Sequence, residues 1–141
     1  MRLLTFETEG SNAVGAIVGN GVVDITARLG SDFSSLKSIM SNGRINEIRA
    51  EIKLATPDHS LQDIHYVPTI PNPEKIICIG INYVNRNLEY KDNASLPKFP
   101  SVFMRARESL VGHDQPIVRP PESDQLDYEG EIAIIIGREG R

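Results

Sequence analysis

All nine prolines of this 141-residue chain lie at or after Pro57, and the 56 residues before it contain none. Proline locks its own φ, lacks a backbone N–H and pushes the preceding residue toward extended backbone, so it is kept out of helix interiors and central strands. The first part of the chain is free to form regular structure throughout. The segment ATPDHSLQDIHYVPTIPNPEK, with Pro57, Pro68, Pro71 and Pro73, is expected to be a stiff connector. This places a boundary between a small N-terminal domain over residues 1–70, connector included, and a second domain beginning in residues 71–141. A chain of this length accommodates one ordinary domain, or a small one joined to part of another.

Within the first domain, RLLTF, AVGAIV and GVVDI read as short strands, the last two joined through Gly19-Asn20-Gly21, where glycine tolerates positive φ. Asp32 is placed to cap a helix with Phe33, Leu36, Ile39 and Met40 on its apolar face, ended by Asn42-Gly43. A second helix follows with Ile45, Ile48 and Ile52 on one face. Strands followed by two helices define an α+β domain with no evident chemistry, and there is no internal repeat or low-complexity tract.

Charge and composition exclude several classes of partner. Fifteen basic residues against nineteen acidic ones leave a net charge of -4, and the basic ones are scattered, so no phosphate-backbone groove is indicated and nucleic acid is not an expected partner. Hydrophobic residues at 40% and charged ones at 24% suit a globular chain with a core. The single cysteine, Cys78, sits in the apolar run IICIG, which reads as packing, and a reducing compartment is expected. The N-terminus MRLLTFETEG matches neither a signal peptide nor a membrane span, so the expected location is cytoplasmic, away from membranes.

The second domain opens with KIICIGI, a continuous apolar run suited to a strand buried on both faces, and turns into NYVNRNLEYKD, expected to be a helix capped by Asn82. On that helix Arg86, Glu89 and Tyr90 come within reach of each other or of one ligand. Strands SVFMR and PIVRP follow, and then DYEGEIAIIIG. In a strand, alternate side chains share a face, so Glu129 and Glu131 would converge. Their like charges repel unless a hard divalent cation with a taste for oxygen ligands relieves them; zinc fits less well without His or Cys beside them. The alternative is two solvated acids on an exposed strand. The buried character expected of Ile132 to Ile136 favours a place for the acids at a pocket mouth.

The succession PNPEKIICIGINY, a helix bearing a glutamate, PSVFMRARESLVGHDQPIVRP and LDYEGEIAIIIGREGR resembles the fumarylacetoacetate hydrolase family over residues 71–141. The first domain is similar in kind to the small N-terminal domain many members carry. The resemblance implies a mixed β-sandwich or roll, usually in a homodimer, and a divalent cation, Mg²⁺, Mn²⁺ or Ca²⁺, bound by Glu129 and Glu131. It further implies that Glu89 activates a water or moves a proton, on a small 2-oxo acid or acylpyruvate of the kind met in the catabolism of aromatic compounds.

Two departures bear on this. Most members carry a catalytic His three residues after the Tyr of the GxNY motif, whereas this chain has Arg86, which stays protonated and cannot act as a base. Arg86 either clamps a substrate carboxylate or forms a salt bridge with Glu89. The family's third metal ligand, an aspartate, and a later lysine fall beyond Arg141, so the chain reads as a fragment whose last strand lacks most of its sheet. Arg105 is a second candidate for the substrate carboxylate; Tyr83 is a candidate substrate contact that by its own setting reads as a core-facing packing residue with its hydroxyl hydrogen-bonded, and Tyr128 reads as a packing residue. Arg107 reads as a surface charge; His113 is either a proton shuttle or a solvated turn residue; His59 and His65 carry no role.

The expected activity is metal-dependent hydrolysis of a C–C bond in an acylpyruvate. Decarboxylation or keto-enol isomerisation of a related oxo acid is the alternative within enzymes. A catalytically incompetent fragment with a binding or assembly role is the alternative outside them.

Overall fold

The computed structural model describes residues 1–89, 91, 95 and 97–140. The chain divides into two compact units, one of Met1–Pro71 with Val111–Arg141 and one of Asn72–Leu110. Both mix antiparallel strands with short helices, and the chain is of the α+β class.

The first unit is built on strands β1 (Arg2–Thr8), β2 (Ser11–Val18) and β3 (Gly21–Asp24), the expected meander. It continues through helices α1 (Ile25–Leu29), α2 (Leu36–Ser41) and α3 (Ile45–Glu51), then β4 (His59–Ser60) and β5 (His65–Val67). The five strands form one antiparallel sheet in the order β4-β3-β2-β1-β5. Strand alternation sends Val14, Ala16 and Val23 to one face, where they pack with Ile25, Phe33, Leu36, Ile39 and Ile48 of the helical stretch. Leu4, Phe6, Ala13 and Val22 go to the other face, under Leu61, Ile64 and Tyr66. Each of the Val, Leu, Ile and Phe side chains among these, removed from water, contributes about 1.5–3 kcal/mol. Gly21 has to be glycine, because a Cβ there would lie 2.7 Å from the carbonyl oxygen of His59.

The segment expected to be a connector is therefore part of this sheet. Pro57 and Pro68 flank β4 and β5 without interrupting them, so no ladder N–H is lost. Asp58 pins the segment. It accepts two hydrogen bonds from Arg28, at 2.9 Å from Nε and 2.7 Å from Nη2, and one at 2.8 Å from the backbone N–H of Asp24. These bonds, Arg28's above all, hold the Asp58 carboxyl below its ordinary pKa against a smaller opposing effect of burial, and the carboxylate in turn raises that of Arg28.

Two local expectations also need correction. Asp32 does not cap the helix after it. It lies in a 3₁₀ turn (Ser31–Phe33) and pairs with Arg44 at 3.3 Å, and α2 starts after extended Ser35. The capping acid is Asp24, whose side chain accepts the Ala27 N–H at 2.8 Å to open α1, a helix where a strand end was expected.

The second unit holds β6 (Ile76–Gly80), α4 (Arg86–Glu89), β7 (Ser101–Arg105) and a 3₁₀ turn (Arg107–Ser109). Strands β6 and β7 pair antiparallel, Ile76 opposite Arg105 and Gly80 opposite Ser101. The expectation that β6 is buried on both faces is not met: Ile76 and Cys78 are half-buried, whereas Ile77 is 58% exposed, and every residue of β7 is exposed. Two strands alone offer one ladder and no layer on either face. Asn82 precedes the first residue of α4 by four positions and is not its cap.

No described residue of the stretch from Val111 onward is in a helix or strand, including those of PIVRP and DYEGEIAIIIG, which were expected to be strands. A strand exists through its ladder partner, and these segments have none among the described residues. The loop Val111–Gln115 does pack on β5, with Gly112 so close to the Tyr66 carbonyl that a Cβ would overlap it.

Candidate functional site

Glu129 and Glu131 lie in the first unit, on the segment without a ladder, and both are exposed. Just before them the Asp127 carboxylate accepts the Tyr128 N–H at 2.8 Å, and Tyr128 is 91% exposed instead of packed. Without a pleat, the strand alternation that would make the two glutamates converge is not in place. Their donor chemistry nonetheless suits a hard divalent cation, since ionised carboxylates offer only oxygen. The number of donors is short of a full shell: no cluster of three or more His, Cys, Asp or Glu placed to hold a metal occurs among the described residues.

Arg86, Glu89, Tyr83 and Arg105 lie in the other unit. Helix α4 carries Arg86 and Glu89 one turn apart; the backbone N–H of Glu89 bonds Asn85 at 3.1 Å and that of Arg86 bonds Tyr83 at 3.1 Å. The Arg86 guanidinium is half-buried and donates to Asn87 Oδ1 at 3.4 Å, while Glu89 is exposed. Tyr83 is 54% exposed, which corrects its reading as a packing residue: it lies on the turn before α4, where no layer covers it. Tyr90 lies outside the described residues. Arg105 ends β7 exposed and reaches Ser109 Oγ at 3.4 Å. Arg107 is exposed and donates to Glu108 at 2.8 Å, which holds that carboxyl below its ordinary range. Of the sequence-derived residues, Tyr83, Arg86, Glu89 and Arg105 thus belong to one unit, and Glu129 and Glu131 to the other.

The histidines are better placed than the sequence reading allowed. His59 on β4 stands 3.8 Å from the Asp24 carboxylate and edge-on to Phe6, with ring centroids 5.5 Å apart. His65 on β5 is 2.9 Å from the Gln115 amide, and His113 packs edge-on against Tyr66, centroids 5.0 Å apart. The one available signal was the β-prone run His65-Tyr66-Val67. A cleft of about 520 Å³ lies in the first unit, lined by Met40, Ile45, Asn46, Arg49, Gly137 and Arg138 among others, with none of the sequence-derived site residues on its wall. No described helix is long and apolar enough to cross a membrane.

Residues 75–141 match the family model of the fumarylacetoacetate (FAA) hydrolase C-terminal domain. The whole chain aligns at 35% identity with a Xenopus laevis protein named oxaloacetate tautomerase fahd2, mitochondrial, and spans 46% of it. A Bos taurus protein, oxaloacetate tautomerase FAHD2A, mitochondrial, is 27% identical over 87% of this chain and 39% of its own length. A Dictyostelium discoideum protein, fumarylacetoacetate hydrolase domain-containing protein 2 homolog, is 30% identical over 94% of this chain and 44% of its own. The chain therefore spans less than half the length of these relatives. Among solved structures, an HpcE protein from Mycobacterium smegmatis superposes with a TM-score of 0.64 at 20% identity, covering 85% of this chain and 41% of that one, a likeness of fold.

Proposed function

We propose a function from one premise: this chain belongs to the fumarylacetoacetate hydrolase family, by its family model over residues 75–141 and by its relatives over its whole length. On that premise it is part of an enzyme acting on a small 2-oxo acid, and the reaction we favour is keto-enol isomerisation of an oxaloacetate-like dicarboxylate. The observation that carries this choice over C–C bond hydrolysis is the 35% identity, along the entire chain, to a protein named as an oxaloacetate tautomerase.

The chemistry of the residues supports it. Hydrolysis needs a base strong enough to activate water, and the position where most members have a histidine is Arg86. Isomerisation asks only that one group take a proton from the carbon beside the ketone and return one to the oxygen, so that atoms and charge balance across the cycle. Glu89 is the group assigned to that proton. Arg86, one helical turn away, is assigned to a substrate carboxylate, which its planar fork can grip with two hydrogen bonds, with Arg105 and Tyr83 bordering the substrate. Glu129 and Glu131 are the proposed ligands of Mg²⁺, Mn²⁺ or Ca²⁺, with the rest of the shell coming from other oxygens. A cation held by these carboxylates would supply Lewis acidity toward a keto oxygen.

Acylpyruvate hydrolysis remains the second reading, because the family model itself describes a hydrolase. The division into residues 1–70 and 71–141, the homodimer and a reducing compartment belong to the same proposal; the names of the relatives favour the mitochondrion over the cytoplasm. The test is to follow fresh enol-oxaloacetate by ultraviolet absorbance, and acetylpyruvate by product mass, with Mg²⁺ or Mn²⁺ and the protein at its natural length. Faster loss of the enol, with oxaloacetate conserved, is expected, and Glu89→Gln should slow it about a hundredfold. Cleavage of acetylpyruvate alone would select the hydrolase, and no turnover of either would end both readings.

A further inference from the structure

We propose that the loop Val111–Gln115 is latched onto β5 by a hydrogen bond that only neutral His65 can accept, so that proton uptake by His65 releases the latch. The side-chain amide of Gln115 decides this. Its Oε1 accepts the backbone N–H of Gly112 at 3.1 Å, which fixes which end of the amide is oxygen. Its Nε2 therefore faces the strand, where it donates to the Tyr66 carbonyl at 2.9 Å and meets His65 Nε2, also at 2.9 Å. A primary amide nitrogen has two hydrogens and no lone pair to offer. The His65 Nε2 must then be the acceptor, with the ring proton on Nδ1.

An imidazolium carries a proton on both nitrogens, so protonation turns this bond into an N–H facing an N–H. The displaced ring has an alternative partner. His65 stands opposite Glu7 of β1 in the sheet register, and its Nε2 lies 4.0 Å from Glu7 Oε2. Acid thus moves His65 from Gln115 to Glu7. The other titratable groups of β5 and the loop are Tyr66, whose hydroxyl donates to the Leu61 carbonyl at 3.1 Å, and His113 with Asp114, 3.4 Å apart; β1 adds Arg2 at its far end from Glu7. Release frees the start of the segment that later carries Glu129 and Glu131, although the latch does not rest on their proposed role.

The test uses ¹⁵N NMR and amide exchange, corrected for intrinsic rates, on the full chain at about pH 7.5 and 5.5. His65 is expected as the Nδ1–H tautomer at the higher pH. Protection of the Gly112 amide, which donates to Gln115, is expected to fall roughly two- to tenfold on acidification, the worth of one net hydrogen bond. His65→Leu should flatten that response and His113→Gln should keep it. Gln115→Glu, which keeps an acceptor for the Gly112 N–H but gives up the donor to the Tyr66 carbonyl, should invert it, because a carboxylate accepts from the imidazolium. An Nε2–H tautomer, a response absent from the unaltered chain, or one that survives His65→Leu would overturn the proposal. So would a Gln115→Glu chain that responds as the unaltered one does.

Discussion

The sheet β1–β5 and the hairpin β6–β7 are made of similar material and end in opposite states. In the first, Val14, Val22 and Val23 are fully buried because each strand has ladder neighbours and a layer on both faces. In the second, Ile77, Val102, Phe103 and Met104 are about half exposed or more, on strands as apolar as any in the sheet. An apolar run commits a segment to burial only where something else in the chain supplies the cover. Where nothing does, the run is a surface that water penalises by about 25 cal/mol for each Å² left in contact with it.

The largest effect that would test this contrast is a cavity in the covered region. Phe33 is 1% exposed, packs in the helix-side core and carries the Arg44 guanidinium 4.1 Å above its ring. Phe33→Ala is expected to cost about 3–5 kcal/mol, seen as a lower urea midpoint with an unchanged slope. A loss below about 1 kcal/mol would mean that the core is far looser than its burial implies.

A smaller effect tests how the short strands stay attached to that core. The Asp58 carboxyl is held below its ordinary pKa by Arg28, so its contribution to stability is present above the unfolded-state value of about 3.9 and is lost as pH falls through the lower folded value. Thermal unfolding from pH 7 down to about 2.5 should therefore show the unaltered chain losing an increment that Asp58→Asn has already lost at pH 7. Equal pH profiles for the two would detach Arg28 and Asp58 from the stability of the sheet.

These elements also mark what could be read from the amino-acid order. The meander, its Gly19 turn and the helices over Leu36–Ser41 and Ile45–Glu51 follow from alternation and helical spacing, and the structure has them. Helix α1 escaped because GVVDI runs on as a strand by pattern, whereas Asp24 ends it by bonding the Ala27 N–H. Strands β4 and β5, two and three residues long, are too short to show a period; β4 exists through Asp58 and its pairing with β3, and β5 through its pairing with β1. The motif residues of the candidate site were legible as a family resemblance, but their mutual geometry was not. It depends on whether DYEGEIAIIIG is held in a ladder, which the structure does not give it and which the local pattern of that run does not decide.

The smallest expected effect is the most direct check on the uncovered side of the contrast. Ile134 is 83% exposed in a segment with no ladder, so Ile134→Ser removes little from any interior. Its effect on the unfolding free energy of the chain should stay within about 0.5 kcal/mol, while the loss of an exposed branched side chain should raise solubility. Hydrophobicity alone would assign Ile134 and Ile39 similar costs, and only the layer over Ile39, which is fully buried, separates them. A cost for Ile134→Ser approaching that of Phe33→Ala would show that apolar character, and not cover, governs burial here, and the distinction between the two regions would fail.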